Sequence, residues 1–244
     1  MFFFRKKNKP TLQELVPNGY VDIHSHILPG IDDGAQIAAD SIYLLSKMKE
    51  FGFAQVIGTP HIIQGIWENT FDSIQHTFDE NQNIWTESGL SISAAAEYMM
   101  DSEFEMLVKN EKLRTLKDKF VLVEMSYINP PIQLYKILFD LQVAGYQPVL
   151  AHPERYVFYH KSTDEFKKLI SAGCLLQLNL LSLTGYYGKE VAKVADYLLQ
   201  NGMYSFSGSD VHHEKHIKSF GQPLVFSDAK LVTQLMEKNS FFRK

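Results

Sequence analysis

Seven short apolar runs recur along the chain, and each is followed by a segment with helical spacing. The runs are Tyr20–Ile23, Gln55–Gly58, Ser91–Ala96, Phe120–Glu124, Pro148–Ala151, Cys174–Leu178 and Tyr204–Ser207. Many lack the polar alternation that a sheet with one wet face requires, so they read as buried parallel strands. Between them lie Ala38–Phe51, with Ile42, Leu45 and Met48 at helical spacing, and then Thr70–Glu87, Pro131–Ala144, Thr163–Ala172, Lys189–Asn201 and Ser227–Lys238. Thr163 and Ser227 suit helix starts, while Gly52, Gly145, Gly173 and Gly202 suit helix ends. Asp101–Lys119 also reads as a polar helix, inserted between the third and fourth strands. This alternation predicts an α/β fold with a parallel sheet. Seven strands in 244 residues fit a closed (β/α) barrel better than an open doubly wound sheet. No glycine-rich fingerprint follows the first strand, which counts against a dinucleotide fold.

Composition narrows the partners. With 24 Lys and Arg against 28 Asp and Glu, the net charge of −4 offers no electrostatic footing for nucleic acid. No apolar run approaches the roughly 18 residues of a membrane-spanning helix. Met1–Lys7 has three phenylalanines and then charges, which does not make a secretory signal. The expected location is the cytoplasm. The single cysteine, Cys174, excludes an intrachain disulfide and any multi-cysteine zinc site. It lies in an apolar run, and position 180, where cysteine phosphatases carry an arginine, is Leu180. Cys174 is therefore expected to be inert packing.

The polar residues stand at the carboxyl ends of the runs. The first ends in His24-Ser25-His26, the second in Thr59-Pro60-His61, the third in Glu97, the fourth in Glu124, the fifth in His152 and the seventh in Ser209-Asp210-Val211-His212. Only the sixth, ending in Asn179, breaks the series. In a barrel these ends converge on one face, where active sites lie. Imidazole and carboxylate are the ligands that Zn, Mn and Fe accept. His24 and His26 are two apart on a strand and point to the same face, so one cation can be chelated by both. Each residue alone has a plainer reading as a cap, an ion-pair member or a satisfied surface group. Together they do not, because clustering charges at the end of a buried sheet is costly unless something pairs them.

Other candidates carry less. His76 reads as solvated, His160 as a loop residue near the site, and His213 and His216 only as neighbours of a ligand. Asp32 and Asp33 form an acidic turn, for which a cap is the plain reading of either.

The motifs Asp22-Ile23-His24-Ser25-His26-Ile27-Leu28-Pro29-Gly30-Ile31-Asp32-Asp33-Gly34, Thr59-Pro60-His61, Ala96-Glu97-Tyr98, Glu124-Met125-Ser126, Ala151-His152-Pro153-Glu154-Arg155-Tyr156 and Ser209-Asp210-Val211-His212 occur in this order. With them the chain, from Tyr20 to about Lys238, resembles the polymerase-and-histidinol-phosphatase superfamily. More narrowly it resembles the bacterial manganese-dependent tyrosine phosphatases of capsule and exopolysaccharide operons. The resemblance implies a distorted seven-stranded (β/α) barrel as a single catalytic domain, 19–244. It also implies up to three divalent ions, manganese by preference, with iron, zinc or magnesium as alternatives. By motif, His24, His26, Glu97 and Asp210 would bind the first ion. Glu97, Glu124 and His152 would bind the second, and Asp33, His61 and His212 the third. Asp33 is chosen over Asp32 because the family ligand immediately precedes the glycine. Arg155 matches the phosphate-binding arginine. Glu124, where other members carry histidine, makes the site harder and suits manganese. The implied substrate is a phosphotyrosine protein, the tail of a membrane-bound tyrosine kinase that drives polysaccharide export. Two features depart from the family. Residues 1–18, with Phe2–Phe4 and Arg5-Lys6-Lys7, have no counterpart and read as a flexible tail. The Lys215–Pro223 loop lacks a further arginine and offers only Lys215 and Lys218.

These residues permit phosphomonoester hydrolysis. Bound metals clamp phosphoryl oxygens and lower the pKa of a bound water toward ~7, so a hydroxide held by this ligand set can attack phosphorus in line. Arg155 can grip two phosphoryl oxygens with its planar fork. Its plain alternative is an ion pair with Glu154. Tyr98, Tyr127, Tyr156 and Tyr159 are candidates to stack on a phosphotyrosine ring. Two other readings stay open: a small-molecule phosphatase such as a histidinol-phosphate phosphatase, and a non-catalytic metal-binding module. Metal-dependent amide hydrolysis is disfavoured, since none of these strand ends carries a lysine to carbamylate.

Overall fold

The computed structural model describes residues 9–110 and 112–244. Among the described residues nine strands form: β1 (Tyr20–Ser25), β2 (Phe53–Gly58), β3 (His61–Ile62), β4 (Ser91–Ala94), β5 (Glu97–Met99), β6 (Phe120–Glu124), β7 (Gln147–Ala151), β8 (Leu175–Asn179) and β9 (Phe206–Gly208). They lie in two sheets, ordered β1-β2-β4 and β3-β5-β6-β7-β8-β9. Every pairing within the sheets is parallel.

The expected α/β class with parallel strands is observed, but the strands do not make a continuous closed seven-stranded barrel. The second and third expected strands are each split in two. Pro60, without an N–H, stands between β2 and β3, and Ala95-Ala96 stands between β4 and β5. Their first halves complete the smaller sheet, β2 pairing with β1 and β4 with β2, and their second halves join the larger sheet. The hydrogen bonds Ala95 N to Gly58 O (2.8 Å) and Glu97 N to Pro60 O (3.0 Å) step across the break. At the other edge an isolated parallel bridge, Ser25 to Val211, sets the end of β1 beside the chain that leaves β9. Gly208 permits this approach: a Cβ there would lie 2.6 Å from the His24 Cβ and 2.8 Å from Gln177 Nε2.

Helices cover the sheets much as the periodicity predicts, at Ala38–Glu50, Leu134–Val143, Asp164–Ser171, Lys189–Gln200 and Ala229–Lys238. Three expectations shift. Thr70–Glu87 is two helices, Phe71–Glu80 and Gln82–Ser88, parted at Asn81, whose backbone leaves the helical region. The polar helix after Asp101 spans only Ser102–Asn110, because Leu113 and Leu116 beyond it turn into the core. Pro130 and Pro131 delay the next helix to Leu134, since each lacks the donor and disfavours helix before it. Among the described residues, no helix is long and apolar enough to cross a membrane.

The main core joins apolar faces of these helices, such as Leu44, Leu45, Leu138, Phe166 and Leu198, to the strands. A second cluster gathers Val21, Ile23, Ile57, Leu122 and Val149 around Phe242, which is fully buried edge-on against Phe120 and Phe206. Cys174 is buried, and burial pushes its thiol up to about 12, as expected of an inert side chain.

Of the 1–18 segment read as a flexible tail, residues 1–8, with the Phe2–Phe4 and Arg5-Lys6-Lys7 clusters, lie outside the described residues. The remainder is packed. Leu12 is wholly buried in a short helix, Leu12–Leu15. Its N–H donates to Gln222 O (3.2 Å), the Gln13 N–H donates to Phe220 O (2.9 Å), and Thr11 bridges Pro223. The physical reason is the apolar pair Leu12 and Leu15, which can be buried only by docking. Of the Lys215–Pro223 segment read as a loop, the first part is a helix, Glu214–Ser219, and the strap lies on the turn Phe220–Pro223 that follows it. Leu12→Ala should therefore lower the unfolding free energy by about 2–5 kcal/mol in a urea titration. A loss below about 1 kcal/mol would mean that the strap is not part of the core.

Candidate metal centre

The carboxyl ends of the strands carry the polar residues to one place. His24 is on β1 and His26 just beyond it, both fully buried. His61 opens β3 and Glu97 opens β5, and the two are register partners. Glu124 closes β6. His152 follows β7, and Asp210 and His212 follow β9. His152 (φ 38°) and Asp210 (φ 51°) both have left-handed backbone, a conformation that costs a non-glycine residue free energy and clusters at functional sites. Asp33 reaches in from the turn before Ala38–Glu50. Gly34 lets that turn close on His26, since a Cβ at Gly34 would lie 2.2 Å from His26 O.

Glu97 is at the centre and has no exposure. Its Oε2 is 3.1 Å from His24 Nε2 and 3.2 Å from His61 Nδ1, and its Oε1 is 3.0 Å from His152 Nε2. His24 Nε2 and His26 Nε2 are 3.3 Å apart, with Asp210 Oδ1 at 3.2 and 3.4 Å from them. Asp33 Oδ1 lies 3.5 Å from both His61 Nε2 and His212 Nε2. Four overlapping groups have donor atoms within 4.8 Å of one another: His26, Asp33, His61 and His212; His24, His26 and Glu97; His24, His152 and Asp210; His61, Glu97 and Glu124. Asp33, His61 and His212 thus share a group, as do His24, His26 and Glu97. Glu124 turns to His61, at 2.8 Å, while His152 groups with His24 and Asp210.

A cation fits this donor set. His61 Nδ1 and Glu124 Oε1 face each other at 2.8 Å, yet neither has an acceptable hydrogen bond, and His152 Nδ1 also lacks one. Buried polar atoms without partners are rare and costly unless an ion or water satisfies them. The charges strain one another in the same way. Burial and the Glu97 carboxylate push Glu124 above the usual carboxylate range. Burial opposes a charged His61, but Glu97 and Glu124 outweigh it and raise the imidazole to about 9. Burial and Arg155 push His152 down to about 4. Asp210 is held far below its ordinary range because His24, His212 and Arg155 outweigh burial.

Several supporting residues escape a reading of strand ends. Asp32 is buried and accepts from His26 Nδ1 (2.7 Å), Gly34 N (2.9 Å) and His61 N (3.2 Å). It caps the turn and also fixes the ring of His26 so that Nε2 faces the cluster. Gln177 on β8 does the same for His24, with Oε1 2.9 Å from Nδ1. Asn179, the apparent break in the series, donates to Asp210 Oδ2 at 2.7 Å. His216 Nδ1 lies 3.1 Å from Asp210 O and accepts from the His212 N–H at 3.1 Å. Strand parity is the one sequence signal that could have found Gln177 and Asn179, since they are two apart and share a face.

Arg155 stands at the wall of the cavity, on the Pro153–Arg155 turn. Its Nη1 donates to Asp210 Oδ2 at 2.9 Å, and its guanidinium lies 4.7 Å from the Tyr127 ring centroid and 4.1 Å from that of Tyr187. It is not paired with Glu154. That side chain is fully buried and accepts from Asn179 N, Ser182 Oγ and Tyr204 OH at 2.7–3.0 Å, bracing the turn from behind. Arg114 is spent on Phe71 O, and Arg243 on Gly19 O. The cavity measures about 430 Å³, and Tyr127, Tyr187, Ile66 and Trp67 border it. Of the four tyrosines singled out, only Tyr127 lines it, and Tyr187 joins it. Tyr156 and Tyr159 are buried in the core, and Tyr98, also buried, lies against a different cavity. His213 and His216 line the cavity; His160 bonds to Glu154 O, and His76 pairs with Glu80 on the surface. Lys218 pairs with Glu214 in solvent.

Comparison with known proteins gives the chain's relatives. Residues 20–238 match a family described as capsular polysaccharide synthesis, CpsB/CapC. The tyrosine-protein phosphatase YwqE of Bacillus subtilis is 29% identical over 239 residues, covering 92% of this chain and 94% of that protein. The tyrosine-protein phosphatase CpsB of Streptococcus pneumoniae is 30% identical over 203 residues, covering 79% and 83%. Crystal structures of YwqE and CpsB, described as unique metal-dependent tyrosine phosphatases, superpose with a TM-score of 0.79 at 28% identity, covering 91% of this chain and 93% of theirs.

Asp32→Asn keeps the size of the side chain and removes the charge that orients His26. It should weaken manganese binding about 10–100-fold by calorimetry, with the circular dichroism spectrum unchanged. Unaltered affinity would reduce Asp32 to a turn cap.

Proposed function

The chain belongs to the CpsB/CapC family of capsular polysaccharide synthesis, and from that premise we propose that it is a metal-dependent tyrosine-protein phosphatase. Its ions would be held by His24, His26, Asp33, His61, Glu97, Glu124, His152, Asp210 and His212. The observation that carries this reading is the buried Glu97 carboxylate, within 3.0–3.2 Å of three imidazoles and beside a second buried carboxylate. Up to three divalent ions suit the overlapping donor groups, and the four carboxylates make manganese the favoured one. Residues 19–244 would act as one catalytic domain, with the Leu12–Leu15 strap docked on it. The substrate would be a phosphotyrosine protein in capsule or exopolysaccharide synthesis, the tail of a membrane-bound tyrosine kinase, met in the cytoplasm.

Bound divalent ions would supply charge neutralisation and a lowered pKa for attacking water. The protein's own groups do the rest. Asp32 and Gln177 hold His26 and His24 in the tautomers that turn Nε2 to the centre. Asp210 and the rings of Tyr127 and Tyr187 keep the Arg155 fork aimed into the cavity, where it can grip phosphoryl oxygens. Tyr127 and Ile66 offer apolar surface at the rim for the tyrosyl ring. Attack of a water oxygen forms the new P–O bond as the bond to the phenolic oxygen breaks. A phenol of pKa about 10 leaves with less protonation than an alkoxide needs.

Phosphate release from a phosphotyrosine peptide, with manganese and then with a chelator, tests the reading beside histidinol phosphate. Turnover of the peptide alone, lost to the chelator, is expected. Turnover of histidinol phosphate instead would make the chain a small-molecule phosphatase, and turnover of neither, with manganese bound, a non-catalytic module. In the same assay Arg155→Lys should lower kcat/KM about 10–100-fold, the worth of one charge-assisted hydrogen bond.

A further inference from the structure

Strand alternation gives β3 and β5 two faces, and each face borders a cavity. His61 and Glu97 face the cluster of imidazoles and carboxylates. Their successors, the register partners Ile62 and Tyr98, line a second cavity of about 440 Å³ behind them. Phe71, Leu107 and Leu113 complete its apolar wall, while Glu68, Glu103 and Lys112 stand among its polar lining. Ile63 and Trp67 line both cavities, so the turn they close is a wall the two share. That turn is built to stay in place. Ile63 and Trp67 exchange reciprocal backbone hydrogen bonds of 2.9 Å, and Asn69 Nδ2 donates to His61 O (2.9 Å) and Ile31 O (2.8 Å). Ile66, 67% exposed, crowns it.

We propose that this second cleft seats the aromatic or large aliphatic side chain of a residue flanking the phosphotyrosine in the substrate polypeptide. The proposal rests on the tyrosine-phosphatase reading of the metal centre. Continuity with that centre argues for a segment of the same polypeptide as occupant. A chain whose phosphotyrosine enters the first cavity must leave across its rim, and extended residues two apart are about 7 Å apart on one face. One to three residues therefore carry a side chain over the Ile63–Trp67 turn. The cleft falls within the roughly 300–1,000 Å³ of small-ligand pockets, and its apolar wall of Ile62, Phe71, Tyr98, Leu107 and Leu113, with Glu68 and Glu103 outnumbering Lys112 at its polar side, favours an apolar side chain over an acidic one. None of its lining residues except Ile63 and Trp67 touches the first cavity. Binding there would raise specificity without altering the chemistry.

The test compares kcat/KM of the manganese-loaded full chain on phosphotyrosine peptides carrying Phe or Asp at each of three positions on either side, and on p-nitrophenyl phosphate. Phe at one position or more should be preferred by at least about tenfold, the worth of burying one such side chain. Leu107→Glu, which charges the wall, and Leu107→Trp, which fills the cleft, should remove the preference. Both should leave p-nitrophenyl phosphate within about twofold. No preference in the unaltered protein, a preference that survives both variants, or an equal loss on both substrates would each overturn the cleft while leaving the phosphatase reading intact. Failure to hydrolyse either phosphotyrosine peptides or p-nitrophenyl phosphate would overturn the phosphatase reading, and the cleft with it.

Discussion

Like charges gathered out of water are the constraint around which this structure is organised. Glu97 and Glu124 are buried side by side, with Asp210 and Asp33 a few ångströms away. Imidazoles of His24, His26, His61, His152 and His212 are interleaved with them. Hydrogen bonds among these groups do not satisfy the cluster, as the orphaned Nδ1 of His61 and Oε1 of Glu124 show. Such an arrangement is destabilising by itself and becomes favourable when cations are bound. The same requirement accounts for the costs accepted nearby: left-handed backbone at His152 and Asp210, a glycine at 208 where any Cβ would strike His24, and the proline that splits the second strand beside His61.

Around the cluster, polar residues act by orienting others. Asp32 and Gln177 each take one ring nitrogen of a histidine and so decide which nitrogen faces the centre. Asn179 and Arg155 both donate to Asp210 Oδ2, which leaves Oδ1 toward His24 and His26. Glu154, directly before Arg155, points into the core and ties the turn to the ends of β8 and β9 through Asn179, Ser182 and Tyr204. The arginine can then be precise, because the neighbour that might have paired with it is engaged elsewhere.

The splitting of the second and third strands matters beyond the sheet count. It releases β3 and β5 from the smaller sheet, so that short strands carry His61 and Glu97 on one face and an apolar cavity wall on the other. A catalytic cavity and a neighbouring cleft then share a wall one turn thick.

Most of the sequence's message concerned elements and donors. Apolar runs without polar alternation can only be buried, so seven strand regions and the α/β class were legible. So were eight ionisable residues at strand ends, whose residue types together suit a cation, while Asp33, in a turn, was singled out only by the family motif. The tyrosines were not: Tyr98, Tyr156 and Tyr159 look like Tyr127 in sequence, yet only packing assigns them to the core and Tyr127 to the cavity. Nor could sequence show that Leu12 straps the loop at Phe220–Gln222, because that contact spans more than 200 residues of chain. Pairing is the common reason. Burial and donor chemistry are properties of one residue and its near neighbours, so the sequence by itself determined them. Whether Arg155 meets Glu154 or Asp210, which candidate donors lie together, and where two sheets part depend on distances between segments. Only the tertiary structure decided those.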